Sequence, residues 1–385
     1  MQQHFFDVDD INLSEFKALC SQTVSSEDYH FSSDIQKMVV IYEGDHIRSL
    51  ISSPQAQKLK TELHHCVKEG PGVMAVRQAF PNIKVIDRAT EIFLEIIAEE
   101  KISKQHRGDH YAKPGENERI WNALQKFCER DTEAFVAYYD NPVLCFVSEA
   151  WLGPFFQMTS QVNIVKPGGQ SQHPHRDYHL GFQEDSLISE YPISSQILSK
   201  FLTLQGAIAH TDMDISSGST MMLPFSHQYP LGYMAWRDSK FIEYFQNHAV
   251  QLELQKGDVM FLSPALFHAA GTNKESSDRI ANLLQVSSAF GKTMESVDRT
   301  KMTKLIYRVL LERKKSHQLR KDELQTIGAS VIDGYCFPTN LDLDSPMEGS
   351  VTETIWAFME RALREEWPVD RFNEYLKEAT MRRLP

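Results

Sequence analysis

The chain has 385 residues, of which 42% are hydrophobic and 24% are charged, and its net charge is −12. This composition indicates a globular protein with a sizeable core, and the length allows either one elaborated domain or two. The negative charge argues against a nucleic-acid partner, because binding phosphates requires a positive face. No apolar run is long enough to span a membrane. We therefore expect neither a nucleic acid nor a membrane as partner.

The cysteines and the N-terminus favour a cytoplasmic protein. The five cysteines are scattered and odd in number, and no two of them form a Cys-x-x-Cys pair, so we predict reduced thiols rather than disulfides. The N-terminus lacks the basic region and apolar stretch of a secretory signal. We therefore expect a cytoplasmic location.

The N-terminal part of the chain is predicted to be mainly helical. Apolar residues recur at three-to-four spacing between Ser53, a suitable N-cap, and Gly70, which suits a helix end. A second helix is predicted to begin near Asp87, and a third covers residues 118–130. The short apolar run at residues 72–77 predicts an edge strand.

A polar segment in this region contains Arg107, Asp109 and His110. It is a candidate for a lid over a substrate site. The alternative interpretation, an exposed loop without a function, has equal support, because polar loops are common at protein surfaces.

The middle of the chain changes to short apolar runs broken by glycine, proline and serine, a pattern typical of short strands. We predict a jelly-roll core at 141–290, with helices in 1–140 and 291–385, all within a single domain 1–385. The predicted strands are 161–166, 204–210, 219–224, 259–262 and 280–287.

A cluster of possible metal ligands follows the first of these strands. If this stretch is extended, His173, His175, Asp177 and His179 project to one side. His175 with Asp177 would give a mixed nitrogen and oxygen ligand set, whereas His173 with His175 would suit zinc or a cupin-type site. A cupin also requires a glutamate shortly after the second histidine, and none is present there. The sequence therefore favours the His-x-Asp choice and leaves the other open.

A third histidine, His268, lies in a similar strand-and-turn context, and Arg279 follows it by eleven residues. Two histidines and one carboxylate form the site of oxygen-activating non-haem Fe(II) enzymes, in which other coordination positions stay open. Two adjacent antiparallel strands can place His268 and Arg279 on one inner face. A guanidinium there would bind a terminal carboxylate through two parallel hydrogen bonds.

With these residues the sequence resembles the phytanoyl-CoA dioxygenase family of Fe(II)/2-oxoglutarate-dependent oxygenases. The resemblance covers roughly residues 140–290, and Phe225 departs from it where the family usually has glycine. Besides the ligands and the arginine, the matching segments are Gln161-Val162-Asn163, the acidic turn 211–214, the stretch from Gly218 to Pro224-Phe225-Ser226-His227, and 268–273.

The resemblance implies a double-stranded β-helix with iron bound by His175, Asp177 and His268. It implies that 2-oxoglutarate chelates the iron while Arg279 binds the far carboxylate. The remaining residues that face the co-substrate would be Gln161, Asn163 and Gln205.

The reaction implied is hydroxylation of an unactivated C–H bond in a small organic substrate, with consumption of O2 and release of succinate and CO2. Related halogenases lack the carboxylate ligand, so Asp177 favours hydroxylation. The alternatives are a cupin-like isomerase or binding module that uses His173 and His175, and a degenerate family member with a structural role. The family acts on varied substrates, and the acidic composition disfavours a CoA thioester.

Overall fold

The computed structural model describes residues 3–103, 117–320, 322–346 and 352–385. The candidate lid residues Arg107, Asp109 and His110 lie outside these ranges.

Eleven strands of the described residues form two sheets. The strands are β1 (Asp34–Gln36), β2 (Val39–Glu43), β3 (Val73–Arg77), β4 (Asn117–Ile120), β5 (Gln157–Val165), β6 (Thr203–Ala209), β7 (Met221–Leu223), β8 (Val250–Gln251), β9 (Val259–Leu262), β10 (Phe267–Ala269) and β11 (Arg279–Ser287). The large sheet has the order β1-β2-β3-β9-β6-β11-β5-β4, and the small sheet has the order β10-β7-β8. All five strands predicted from the sequence are present.

Fifteen α-helices accompany the sheets in the described residues. They are α1 (Leu13–Cys20), α2 (Gly44–Leu50), α3 (Ala56–Lys68), α4 (Ile83–Ile102), α5 (Ala123–Arg130), α6 (Thr132–Tyr139), α7 (Pro142–Leu152), α8 (Asp185–Ile188), α9 (Ile193–Ser199), α10 (Gly232–Ala235), α11 (Ser239–His248), α12 (Arg299–Lys315), α13 (Glu323–Val331), α14 (Ile355–Arg364) and α15 (Val369–Arg382). Helices from both ends of the chain pack in the main hydrophobic core with one face of the large mixed sheet.

Three N-terminal predictions need correction. Helix α4 begins before Asp87, because the side chain of Asn82 accepts a hydrogen bond from the amide of Lys84 and caps the helix there. Residues 118–130 are not one helix but β4 followed by α5, with Asn122 in the left-handed region between them. Strand β3 is not an edge strand, since it pairs in parallel with β2 and antiparallel with β9.

Strand β11 lies between β6 and β5 inside the large sheet, and its two faces have different environments. Its even-numbered residues Ile280, Leu284 and Val286 face the helices and belong to the main hydrophobic core. Its odd-numbered residues from Arg279 to Gln285 face the other way and line a cavity. This alternation follows from the two-residue period of a strand. Burial of each large apolar side chain on the helical face contributes about 1.5–3 kcal/mol.

The small sheet packs against a second hydrophobic cluster on its outer side. Phe16 of α1 is fully buried there, and its ring centroid lies 4.9 Å from those of both Phe241 and Phe267. The N-terminal helix therefore supports the strand that contains His268. The cavity lies between the inner faces of the two sheets.

A buried polar network joins α4 and α6 to the end of β6. The ring of His210 lies 2.8 Å from Thr90 Oγ1 and 2.7 Å from the Tyr138 hydroxyl. Burial, with a contribution from Lys256, lowers the pKa of His210 to about 3, so this imidazole is neutral in the folded protein at pH 5–7. Its two hydrogen bonds are consistent with the neutral form.

We expect acid to destabilise the protein through this histidine. Below its ordinary pKa of about 6.5, His210 binds a proton only in the unfolded chain, so the free energy of unfolding falls as the pH falls. In His210→Gln the slope between pH 5 and pH 6 should be smaller by about 1 kcal/mol per pH unit. Urea unfolding at a series of pH values measures this. The exposed His248→Gln is the matched control, and an unchanged slope in His210→Gln would contradict the expectation.

Candidate active site

Two histidines from different segments lie directly opposite each other. His175, in an extended segment, pairs with His268 of β10 as an antiparallel bridge. The amide of each residue donates to the carbonyl of the other, at 2.9 Å and 3.1 Å. Side chains of such a pair lie on the same face of the sheet, which explains why the two imidazole centroids are 4.5 Å apart.

Backbone carbonyls set the tautomer of both rings. His175 Nδ1 lies 3.1 Å from the carbonyl of His173, and His268 Nδ1 lies 2.9 Å from the carbonyl of Leu266. Because a carbonyl only accepts, each Nδ1 donates its hydrogen and leaves the lone pair on Nε2. Metal-binding histidines in proteins are oriented in the same way.

Asp177 completes a group of three possible ligands. Its Oδ1 lies 3.5 Å from His175 Nε2, and its Oδ2 lies 3.4 Å from His268 Nε2. One ligand atom from each of the three residues lies within 4.8 Å of the others, close enough to hold one ion. Among the described residues His173 is not part of this group, and its side chain is exposed at the cavity. The geometry therefore favours the His-x-Asp arrangement over the His-x-His arrangement.

The protonation states of Asp177 and His175 suit a cation site. Burial acts to raise the pKa of Asp177, but the neighbouring imidazoles of His175 and His268 and a hydrogen bond from Gln205 lower it well below its ordinary value. Burial acts to lower the pKa of His268, but the Asp177 carboxylate raises it. Burial lowers the pKa of His175, which keeps its Nε2 lone pair available. The carboxylate is therefore ionised across the physiological range.

Arg176 anchors the ligand segment from behind. Its fully buried guanidinium donates to the carbonyls of Ser226 and Tyr229, at 2.6 Å and 3.1 Å. It also lies 5.2 Å from the ring centroids of Tyr233 and Phe267. Phe267 precedes His268, so this one side chain joins the two segments that contain the histidines.

Ser226 and Phe225 belong to the element that resembled the family pattern. The Ser226 hydroxyl accepts a 2.8 Å hydrogen bond from the amide of Phe267, which fixes the start of β10. Phe225 has φ +68°, a left-handed conformation that glycine adopts without strain. This conformation gives a physical reason for the glycine that the family usually has at this position.

Arg279 lies in the same cavity. The side chain is buried, with 6% exposed, and its Nη1 has no hydrogen-bond partner among the described residues. Burial lowers its pKa to about 10, so it remains a cation at neutral pH. An unpaired buried charge is costly, and an anionic ligand would remove this cost.

The other predicted site residues also line the cavity, with partners of their own. Gln205 donates from Nε2 to Asp177 Oδ2, so it contacts a possible metal ligand directly. Gln161 accepts a 2.9 Å hydrogen bond from Arg119, and Asn163 lies beside it on β5. His179 is absent from the cavity wall among the described residues, because the chain turns through left-handed conformations at Tyr178 and His179.

Several cavity residues were missed by the sequence analysis. The cavity has a volume of about 330 Å³, and its wall includes Arg119, Trp236 and Gln285. Gln285 could have been predicted as a cavity residue, because side chains at every second position after Arg279 lie on the same face of the strand. Arg119 could not, because its position depends on the pairing of β4 with β5, which no local pattern indicated.

A family model and one curated relative indicate the same family. The family model described as phytanoyl-CoA dioxygenase matches residues 46–281, more than half of the chain. Among curated proteins, the peroxisomal phytanoyl-CoA dioxygenase of Bos taurus is 28% identical over 182 residues, which cover 43% of this chain and 49% of that protein. An uncharacterized protein of Saccharomyces cerevisiae is 27% identical over 139 residues, which cover 36% of this chain and 35% of that protein. The chain thus matches half or less of each relative.

Solved structures show a more distant likeness. The non-haem alpha-ketoglutarate-dependent carbocyclase SnoK from nogalamycin biosynthesis is 19% identical, with a TM-score of 0.45 over 64% of this chain and 91% of that chain. HygX from Streptomyces hygroscopicus, solved with nickel and 2-oxoglutarate bound, is 12% identical, with a TM-score of 0.39 over 61% of this chain and 90% of that chain. Likeness at this level indicates nothing about the reaction of this chain.

None of the described helices combines the length and the apolar character needed to cross a membrane.

We expect Gly232→Ala to destabilise the protein through Arg176. A Cβ atom at Gly232 would lie 1.9 Å from the Arg176 Cζ, and the packed guanidinium has little room to move. The expected loss is about 1–3 kcal/mol in the free energy of unfolding, measured with urea. In an Arg176→Met background the same substitution should cost much less, and equal costs in both backgrounds would contradict this account.

We expect Asp177→Ala to lose most of the affinity for divalent metal. It removes the carboxylate that lies between the two histidines, so binding of Fe(II) should weaken by at least about 100-fold. Anaerobic isothermal titration calorimetry measures the change, with the exposed Asp342→Ala as matched control. Undiminished affinity in Asp177→Ala would place the metal elsewhere.

Proposed function

The chain belongs to the phytanoyl-CoA dioxygenase family, and on that premise we propose that it is an Fe(II)- and 2-oxoglutarate-dependent dioxygenase that hydroxylates a small organic substrate. One observation supports this most strongly: a His-Asp-His group lines the same cavity as a buried arginine whose Nη1 has no partner in the described ranges. A metal-binding module of another kind would have no use for the arginine.

In this proposal His175, Asp177 and His268 bind iron. Both Nε2 atoms lie next to the carboxylate, and they keep their lone pairs because the Nδ1 atoms donate to backbone carbonyls. Three protein ligands leave positions for a chelating co-substrate and for O2. Gln205 holds the Asp177 carboxylate through its amide, which limits the orientations that the carboxylate can adopt.

Arg279 binds the distal carboxylate of 2-oxoglutarate. Its register partner is Val165, so it lies at the end of the β5–β11 pair, away from Gln205. A guanidinium can form two parallel charge-assisted hydrogen bonds to a carboxylate, and this ion pair replaces the missing partner of Nη1. Gln161 and Asn163 face the same space from β5.

The bound iron, 2-oxoglutarate and O2 supply the oxidising power for hydroxylation of a C–H bond, with succinate and CO2 as co-products. The residues of the chain bind and orient these groups and exclude bulk water. Apolar side chains line much of the cavity, among them Met213, Leu254 and Met260. The carboxylate Asp177 occupies the position that halogenases leave open, which supports hydroxylation.

The two sheets with the cavity between them support a double-stranded β-helix as the core. In this proposal residues 141–290 form that core within a single oxygenase domain, 1–385. Strands β1–β4 from the region 1–140 extend the large sheet. Of the helices from 291–385, α12 packs on α5 and α6, α13 contacts β5, and α14 and α15 pack on α12. A cytoplasmic location stays a prediction, and the bovine relative is named as peroxisomal.

The test is succinate formation from 2-oxoglutarate in the presence of Fe(II) and ascorbate. In Arg279→Gln the KM for 2-oxoglutarate should rise about 10–100-fold, because a buried charge-assisted pair is lost, while Arg279→Lys should retain part of the affinity. The exposed Arg88→Gln is the matched control. No succinate from the wild type, or an unchanged KM in Arg279→Gln, would reject the proposal.

A further inference from the structure

Several polar atoms in the cavity wall lack a hydrogen-bond partner among the described residues. Besides Arg279 Nη1, they include Oε1 of Gln205, Oε1 of Gln285 and the indole Nε1 of Trp236. The side chains of Gln205 and Gln285 are each 6% exposed. Buried polar groups without partners are rare in native proteins, so a group of them in one cavity indicates a ligand that is itself polar.

The orientation of the Gln205 amide follows from its neighbour. Its Nε2 donates to Asp177 Oδ2, and the opposite orientation would direct the amide oxygen at the carboxylate. The Nε2 atom is therefore committed to Asp177, and Oε1 is left as an acceptor. This acceptor is one amide group away from a proposed metal ligand.

Gln285 is the direct cross-strand partner of Gln205. The two residues are paired in the register of β11 with β6, and both side chains face the cavity. Cβ atoms of such a pair lie about 5 Å apart, so one ligand group can reach both amides. Together they form an amide pair, Gln205 and Gln285, beside Asp177.

The amide pair is remote from Arg279, which binds the distal carboxylate of the co-substrate in the proposed function. Arg279 and Gln285 are six residues apart on β11, about 20 Å along an extended strand. A dicarboxylate that joins the metal to Arg279 would run from the metal toward Arg279 and away from Gln285. The amide pair is thus available to a second molecule at the metal end of the cavity.

We infer that Gln205 and Gln285 bind a hydroxyl or amino group of the primary substrate next to the metal. This inference rests on the proposed function and names the substrate class. A hydroxyl or amine donates to the free Oε1 acceptors, whereas a hydrocarbon chain would bury them unsatisfied. Sites that hydrogen-bond a substrate hydroxyl discriminate strongly against analogues that lack it.

The indole of Trp236 offers a further hydrogen-bonding group to the same substrate. Its Nε1 is a buried donor at the cavity wall, and the Arg237 guanidinium lies 3.9 Å from the ring centroid and holds the ring in place. Arg237 is fixed in turn by Asp185 and the carbonyl of Gln183, each at 2.7 Å. A hydroxyl both donates and accepts, so a substrate with several hydroxyls can satisfy the amide pair and the indole together.

The experiment compares two substrate sets in stimulated succinate release by the Fe(II)-loaded full chain. One set contains inositols, sugar alcohols and amino sugars, and the other contains alkyl carboxylates and acyl thioesters of similar size. We expect stimulation by members of the first set. In Gln285→Met the kcat/KM of the best member should fall about tenfold, with the KM for 2-oxoglutarate unchanged. The exposed Gln57→Met is the matched control.

The outcomes separate this inference from the proposed function. Succinate that the wild type forms without added substrate reports on the proposed function alone. If it forms but no hydroxyl- or amine-bearing compound increases it, or if only acyl compounds do, the substrate class is wrong. An unchanged kcat/KM in Gln285→Met also overturns the inference, and the unaltered KM for 2-oxoglutarate shows that the variant is folded.

Discussion

The site depends on one antiparallel backbone pairing. His175 and His268 exchange both of their backbone hydrogen bonds, so the two imidazoles are on one face and opposite each other. The side chain of Asp177, two residues after His175, lies on the same face. A slip of one residue in this pairing would turn every side chain of the segment to the opposite face, so the ligand set exists only in this register.

Two buried arginines of the site have contrasting environments. The guanidinium of Arg176 donates hydrogen bonds to two backbone carbonyls and lies near an aromatic ring. Its charge is therefore stabilised by contacts within the protein. Within the described part of the chain, Arg279 has an unpartnered Nη1 that faces the cavity, and we propose that this atom binds a ligand. Burial lowers both pKa values to about 10, so burial alone does not distinguish the two arginines. They differ in the two carbonyls that the Arg176 guanidinium binds.

Much of the site was predictable because its signals are local. A His-x-Asp pair, a later histidine and an arginine at strand spacing identified the cavity residues His175, Asp177, His268 and Arg279. The N-terminal errors arose where local patterns compete with distant pairing. Residues 118–120 look helical but form a strand because β5 offers an unpaired edge to them. Strand β3 was predicted to be an edge strand, but β2 pairs with it in parallel.

The sequence by itself determined the alternation of the central strands, the ligand types and the helices at both ends, because these depend on periodicity and side-chain chemistry. Tertiary structure alone decided that Gln285 opposes Gln205, that Arg119 faces the cavity and that Phe225 must adopt a left-handed conformation. Each of these depends on the register between segments far apart in the chain. Which buried atoms remain without partners, and so which chemistry the cavity can accept, emerges only after that register is fixed.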